Sequence, residues 1–171
     1  MAGRRVVLVR HAKSAWPFGV PDLERPLAGK GRRNAQSAGQ WLADEGPALD
    51  LVLCSPAVRA RQTGEIVRQW LPPLPWRDEP RLYEAEAGEV LEVLRGLPDL
   101  FAGVLVIGHE PSLSGLVAKL SGPASDPGAL AQAAEKFPTS AVAVLRTPGS
   151  WRACRPGGAV LETLVVPRAA R

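Results

Sequence analysis

The chain has 171 residues, of which 46% are hydrophobic and 22% charged, and its net charge is +4. These proportions fit a soluble globular protein, and residues 1–171 are expected to form a single domain with a sizeable core. No apolar run is long enough for a membrane span, no run of Lys and Arg is dense enough for a nucleic-acid stripe, and the small positive excess suits an anionic substrate.

Val6 to Val9 is continuously apolar and β-branched, which predicts a strand buried on both faces. It leads into Arg10 and His11. Residues 12 to 28 carry Pro17, Gly19, Pro21 and Pro26 and read as loop. A helix is predicted from about Gly31 to Glu45, with Ala35, Ala38, Trp41 and Leu42 on one face and Gly46-Pro47 as its stop. Leu49 to Cys54 is the second strand. Ser55-Pro56 fits a helix start, with Ser as N-cap and Pro at the first position. That helix would turn Ile66, Val67, Trp70 and Leu71 inward and end before Pro72. Residues 74 to 83 read as extended, with a short edge strand. A third helix is predicted over Gly88–Leu97, a buried strand over Val104–Ile107 and a fourth helix over Pro111–Leu120. The last of these carries Leu113, Leu116, Val117 and Leu120 at helical spacing. Residues 121 to 136 read as loop with one helical turn. Residues 140 to 146, 150 to 155 and 159 to 165 read as a closing antiparallel set, separated by turns at Pro148-Gly149 and Pro156-Gly157-Gly158. The alternation of elements implies a three-layer α/β/α sandwich with a mainly parallel central sheet.

Cys54 and Cys154 have no metal-ligand spacing and read as small core residues. The N-terminal residues lack the apolar stretch of a signal peptide, so a cytoplasmic location is expected.

The two histidines, His11 and His109, both follow apolar strands, at the sheet edge where open α/β sheets bind ligands. Taken singly, each has a structural reading: a hydrogen-bonded histidine, a salt-bridged arginine, a surface glutamate. Their shared placement points to chemistry. Arg10-His11, Ser55 to Arg59, Glu84 and Gly108-His109 together supply what phosphoryl transfer without a metal requires. These are a nucleophile, fixed positive charge for the phosphoryl oxygens, a proton donor and backbone N–H groups.

These segments resemble the histidine phosphatase superfamily, the phosphoglycerate-mutase-like enzymes, and within it the short SixA-type phosphohistidine phosphatases. The resemblance covers roughly residues 5 to 165. It rests on Leu8-Val9-Arg10-His11-Ala12-Lys13-Ser14 with Trp16, then Asp22 with Arg25-Pro26-Leu27 and Gly31. Further along it rests on Ser55-Pro56 through Arg59-Ala60 and Gln62-Thr63, Val106-Ile107-Gly108-His109-Glu110-Pro111, and Pro138-Thr139-Ser140. It implies a phosphoglycerate-mutase-like fold and a metal-free, cofactor-free phosphatase. His11 would be the nucleophile, forming a phosphohistidine intermediate. Arg10 and Arg59 would clamp the phosphoryl oxygens and hold His11 neutral. His109 would complete the phosphate pocket.

Glu84 has two readings, the general acid or a residue on the pocket rim, with Glu86 and Glu89 as nearby substitutes. Ser14 either bonds a phosphate oxygen or caps its loop. Trp16 either stacks on substrate or packs its loop. Arg25 either meets substrate or pairs with Asp22 and Glu24, and the ion pair is the nearer reading. With room for a cover only at residues 121 to 136, the open site suits phosphohistidine on a protein. The alternatives are a sugar or nucleotide phosphomonoester and a non-catalytic phosphate-binding module. No nucleic-acid or membrane partner is expected, and the chain reads as a monomer or weak homo-oligomer.

Overall fold

The computed structural model describes residues 3–169. Its strands are β1 (Arg4–Arg10), β2 (Leu51–Cys54), β3 (Trp76–Asp78), β4 (Gly103–Gly108), β5 (Val142–Thr147) and β6 (Val160–Val165). They form one sheet in the order β3-β2-β4-β1-β5-β6. Pairings from β3 across to β1 are parallel, and β1–β5 and β5–β6 are antiparallel. The helices are α1 (Gly29–Glu45), α2 (Val58–Arg68), α3 (Ala87–Arg95), α4 (Ser112–Leu120) and α5 (Pro127–Glu135). None is long and apolar enough to cross a membrane.

The continuous apolar runs of β1, β2 and β4 follow from helices on both faces of the sheet. Successive strand side chains alternate between the two layers. Val6, Leu8, Leu53, Val104 and Val106 pack with Leu91 and Leu94 of α3 and Leu113, Leu116 and Leu120 of α4. Val7, Val9, Val52, Leu105 and Ile107 pack with Ala38 and Leu42 of α1 and Ala60 and Val67 of α2. This is the expected three-layer arrangement. Both cysteines are buried core residues, as predicted.

Four local expectations are corrected. The second helix starts at Val58 rather than at Ser55-Pro56, and Ala57 caps it without a side-chain bond. It ends at Arg68, so Trp70 is not an inward helix residue. Trp70 lies partly exposed against Gly39 of α1, and its indole N–H donates to Gln36 Oε1 at 2.6 Å. Residues 150 to 155 form no strand but a 3-10 turn, Trp151–Ala153, because Trp151 turns fully inward. Its indole N–H donates to the Phe101 carbonyl at 2.7 Å, which satisfies the one polar atom the burial would strand. The segment 121 to 136 contains the nine-residue helix α5, more than the single turn expected. Asp126 caps it by accepting from the Ala129 amide at 2.7 Å, and Pro127 occupies the first position.

Gly31 ties α1 to the loop that follows β1. A Cβ there would lie 2.0 Å from the Lys13 carbonyl oxygen, which already accepts the Ala28 amide at 2.9 Å. Gly31→Ala is therefore expected to lower stability by about 1–3 kcal/mol, the usual range for overpacking. Urea unfolding tests this, and an unchanged midpoint would contradict the close approach.

Candidate active site

β1, β2 and β4 end at the same edge of the sheet, and each delivers a polar residue there. β1 runs into Arg10 and His11, β2 into Ser55, and β4 into His109. The register pairs Arg10 with Gly108 and Cys54 with Ile107, so these residues converge without any long-range loop. The first turns of α2 add Arg59, and the segment before α3 adds Tyr83 and Glu84. All of the residues predicted for the site, Arg10, His11, Ser14, Trp16, Arg25, Arg59, Glu84 and His109, line one pocket of about 420 Å³.

The two imidazoles lie side by side, with ring centroids 5.1 Å apart, and each residue is only 7% exposed. His11 Nδ1 is 2.8 Å from the Ala12 carbonyl oxygen. A carbonyl only accepts, so Nδ1 carries the hydrogen and Nε2 keeps its lone pair. The same Ala12 donates its amide to Thr63 Oγ1 at 3.0 Å, and Thr63 donates to the Arg59 carbonyl at 2.7 Å. Helix α2 thereby braces the backbone that orients the nucleophile candidate. Burial lowers the His11 pKa to about 4, partly opposed by the Ala12 bond and reinforced by Arg59, Arg10 and Arg25. Burial also lowers His109 to about 3, with His11 and Arg59 adding to the effect. Both rings are neutral at pH 7. The arginines thus help as expected, but loss of water contributes most.

Asp22 organises the cationic groups, a role its sequence position did not reveal. Arg59 donates from Nη1 to the Asp22 carbonyl at 2.7 Å and from Nη2 to Asp22 Oδ2 at 3.1 Å. Arg25 donates from Nε to Asp22 Oδ1 at 3.1 Å, and Tyr83 donates its hydroxyl to Oδ2 at 2.6 Å. The Tyr83 hydroxyl is the largest influence holding the Asp22 pKa down at about 2; burial, the next largest, opposes it, and Arg59 and Arg25 lower it further. Asp22 is therefore a permanent anion that aims two arginines. Arg10 is anchored separately, through Nη1 to the Phe137 carbonyl at 2.9 Å. The Nε atoms of Arg10 and Arg59 are buried and have no partner among the described residues.

The secondary candidates resolve individually. Arg25 makes the expected ion pair with Asp22, but none is observed with Glu24 among the described residues. It also donates to Ser14 Oγ at 2.9 Å and lies over the Trp16 ring at 3.4 Å. Ser14 thus serves its loop while lining the pocket. Ser55 is not the helix cap that its sequence suggested; its Oγ lies 2.7 Å from His109 Nε2 and also accepts the Ala57 amide at 3.3 Å. The adjacency of β2 and β4 produces that contact, and a linear sequence does not show adjacency. Glu84 is exposed, sits at a positive φ of 53°, lines the pocket, and makes no side-chain hydrogen bond among the described residues. Glu86 and Glu89 lie outside the pocket lining and close a capping box on α3, which removes them as substitutes for Glu84. The segment 121 to 136 lines none of the pocket, and its helix packs on β6 and α4 instead. It is not the cover that chain length suggested. Among the described residues, no group of three His, Cys, Asp or Glu side chains is placed to hold a metal ion.

A family model for the histidine phosphatase superfamily, branch 1, matches residues 6–98. An uncharacterized protein of Mycobacterium tuberculosis is 45% identical over 161 residues, covering 94% of this chain and all of its own length. A solved structure of the protein histidine phosphatase SixA complexed with tungstate is 30% identical. Its TM-score is 0.77, and 95% of this chain and 97% of the other are covered. A protein from Nakamurella multipartitia, described as a candidate SixA phosphohistidine phosphatase, is 33% identical with a TM-score of 0.85, covering 98% of both chains.

The depressed histidine pKa values link to folding. Unfolding restores each ring to its ordinary value near 6.5, so below that pH the unfolded chain binds more protons than the folded one. Their contribution to stability is full above 6.5, is lost progressively as pH falls, and is gone once pH passes the folded values of about 4 and about 3. Urea unfolding over this range should show the decline, and His109→Asn should flatten it. A wild-type slope retained in that variant would contradict the burial of a neutral His109.

Proposed function

The chain belongs to the histidine phosphatase superfamily and is a phosphatase; on that premise we propose that His11 is its nucleophile and that it removes phosphate from phosphohistidine carried on a protein. One observation carries the assignment of His11. It is the buried neutral ring whose Nδ1 is pinned to the Ala12 carbonyl, leaving the Nε2 lone pair for attack inside a pocket lined by arginines. His109 is equally neutral, but its Nε2 is engaged with Ser55.

In the proposed reaction, His11 Nε2 forms a bond to phosphorus as the bond from phosphorus to the substrate imidazole breaks. Arg10 and Arg59 take the non-bridging oxygens through guanidinium N–H groups, including the buried Nε atoms that lack partners. Their anchors on Phe137 and Asp22 set the arginine positions before substrate arrives, so little reorganisation accompanies charge build-up. His109, oriented by Ser55, forms the facing wall. Glu84 gives its proton to the departing imidazole nitrogen, then takes one from the water that hydrolyses the phosphohistidine intermediate. Asp22 does not fill that acid role, because its low pKa leaves it without a proton to give. Two observations favour a protein-borne substrate. The pocket mouth is uncovered by the 121 to 136 segment, and the SixA structures match at 30% and 33% identity along nearly the whole chain.

His11→Ala should abolish turnover with the urea midpoint preserved. Arg59→Ala should lower kcat by about 10²–10³, the range for losing one donor to transition-state charge. Both are read on phosphohistidine peptide and on an aryl phosphate, and an active His11→Ala protein would overturn the nucleophile assignment. Activity should persist in EDTA.

The pH profile tests the electrostatics separately. The acid limb of kcat/KM should follow protonation of His11, near its lowered value of about 4. A limb near the ordinary histidine value of 6.5 would contradict the buried, desolvated ring.

A further inference from the structure

The mouth of the pocket carries a surface that the proposed chemistry does not use. Trp16, Phe18 and Leu23 are 76%, 105% and 41% exposed, and all three lie on the segment between β1 and α1. That segment is firmly held from beneath. Arg25 lies against Trp16, the Ala15 amide donates to the Pro26 carbonyl at 2.8 Å, and Arg59 binds the Asp22 carbonyl. The backbone is fixed while the large apolar side chains stand in solvent. A single exposed apolar residue needs no explanation, but three large exposed apolar side chains on one short, fixed segment are the kind of surface that partners use.

The adjoining helix start is charged against its own stability. The first turns of α1 carry Lys30, Arg32 and Arg33, all exposed, and the first turn holds no acidic residue. A helix N-terminus favours negative side chains, so these cations oppose the helix dipole. The exposed Lys13 lines the pocket, and its carbonyl accepts the Ala28 amide, so this basic helix start abuts the mouth. Departures from local preference of this kind are expected at functional sites.

We propose that the Trp16–Phe18–Leu23 lip and the basic start of α1 form the docking surface for the phosphorylated protein, which presents acidic and apolar residues around its phosphohistidine. This rests on the reading of protein-borne phosphohistidine as substrate. Two features specify the partner's chemistry. The surface is continuous with the pocket through Trp16 and Lys13, and its exposed charges on α1 are all positive up to Asp44. Aromatic anchors supply affinity at protein interfaces, and rim charges steer approach.

The test uses two synthetic histidine peptides, one flanked by Glu and Leu and the other by Lys and Ser, each phosphorylated chemically on its histidine. The intact chain should show a kcat/KM about tenfold or more higher on the acidic apolar peptide. In the combined variant F18S/R33E that preference should shrink to about twofold or less, with kcat/KM on phosphoimidazole unchanged. Equal kcat/KM on the two peptides, or a preference kept in the variant, overturns the docking surface. Titrating the unphosphorylated peptides onto the wild-type chain separates docking from chemistry. Tighter binding of the acidic apolar peptide is expected, and equal binding overturns the docking surface. Selective binding with no turnover of either phosphopeptide overturns the substrate reading alone. Binding to phosphatidylglycerol vesicles that is lost in the variant, with no discrimination between peptides, overturns the proposal in favour of a membrane surface.

Discussion

The parallel pairing of β1 with β4 is the constraint on which the rest of the site depends. It sets Arg10 opposite Gly108, and the His11 amide extends the ladder to the Gly108 carbonyl at 3.0 Å. The two histidines that follow these strands are thereby forced together, with rings 5.1 Å apart. A slip of one residue in this register would reverse the facing of every side chain on β1. It is prevented because Val6 and Leu8 belong to one core layer, Val7 and Val9 to the other, and all four are fully buried. Core packing and site geometry are therefore set by the same residues.

Electrostatics adds a second level of organisation. A buried imidazole is easily kept neutral, whereas a buried guanidinium keeps its charge and must be held by partners. The site meets that need with one carboxylate, three backbone carbonyls and the Ser14 hydroxyl, the Ala15 carbonyl and Ser14 both serving Arg25. Asp22 aims Arg59 and Arg25, its own carbonyl takes a second bond from Arg59, and the Phe137 carbonyl holds Arg10. Tyr83 completes the Asp22 shell. An anion entering the pocket meets positive charge that is already placed, and this is the condition under which fixed charge is most effective on a developing transition state.

The layers of the fold were readable because hydrophobic periodicity is local. The four-residue core of β1, the spacing on α4 and the breakers after α1 each sit within a few residues of one another. The pocket residues were readable because they follow strands directly. What escaped was contact between distant segments. Ser55 looked like a helix cap, and only the adjacency of β2 and β4 turns it toward His109. Asp22 is surrounded by loop residues in sequence, and its partners Arg59 and Tyr83 come from other elements. Trp151 sat in a strand-like run, yet burial of its ring and the bond to the Phe101 carbonyl produced a turn. The Asp126-Pro127 start of α5 was a local signal, masked by the surrounding Ala, Gly and Pro.

The central claim is that the phosphoryl group passes through His11. Rapid quenching of the enzyme during turnover of phosphohistidine peptide, followed by mass spectrometry at alkaline pH, locates the phosphorylated residue directly. The account predicts transient phosphate on the peptide containing His11, acid-labile and base-stable, and formed faster than the overall rate. Phosphate found instead on His109 or any other residue, formed at a kinetically competent rate while His11 stays unmodified, would contradict it.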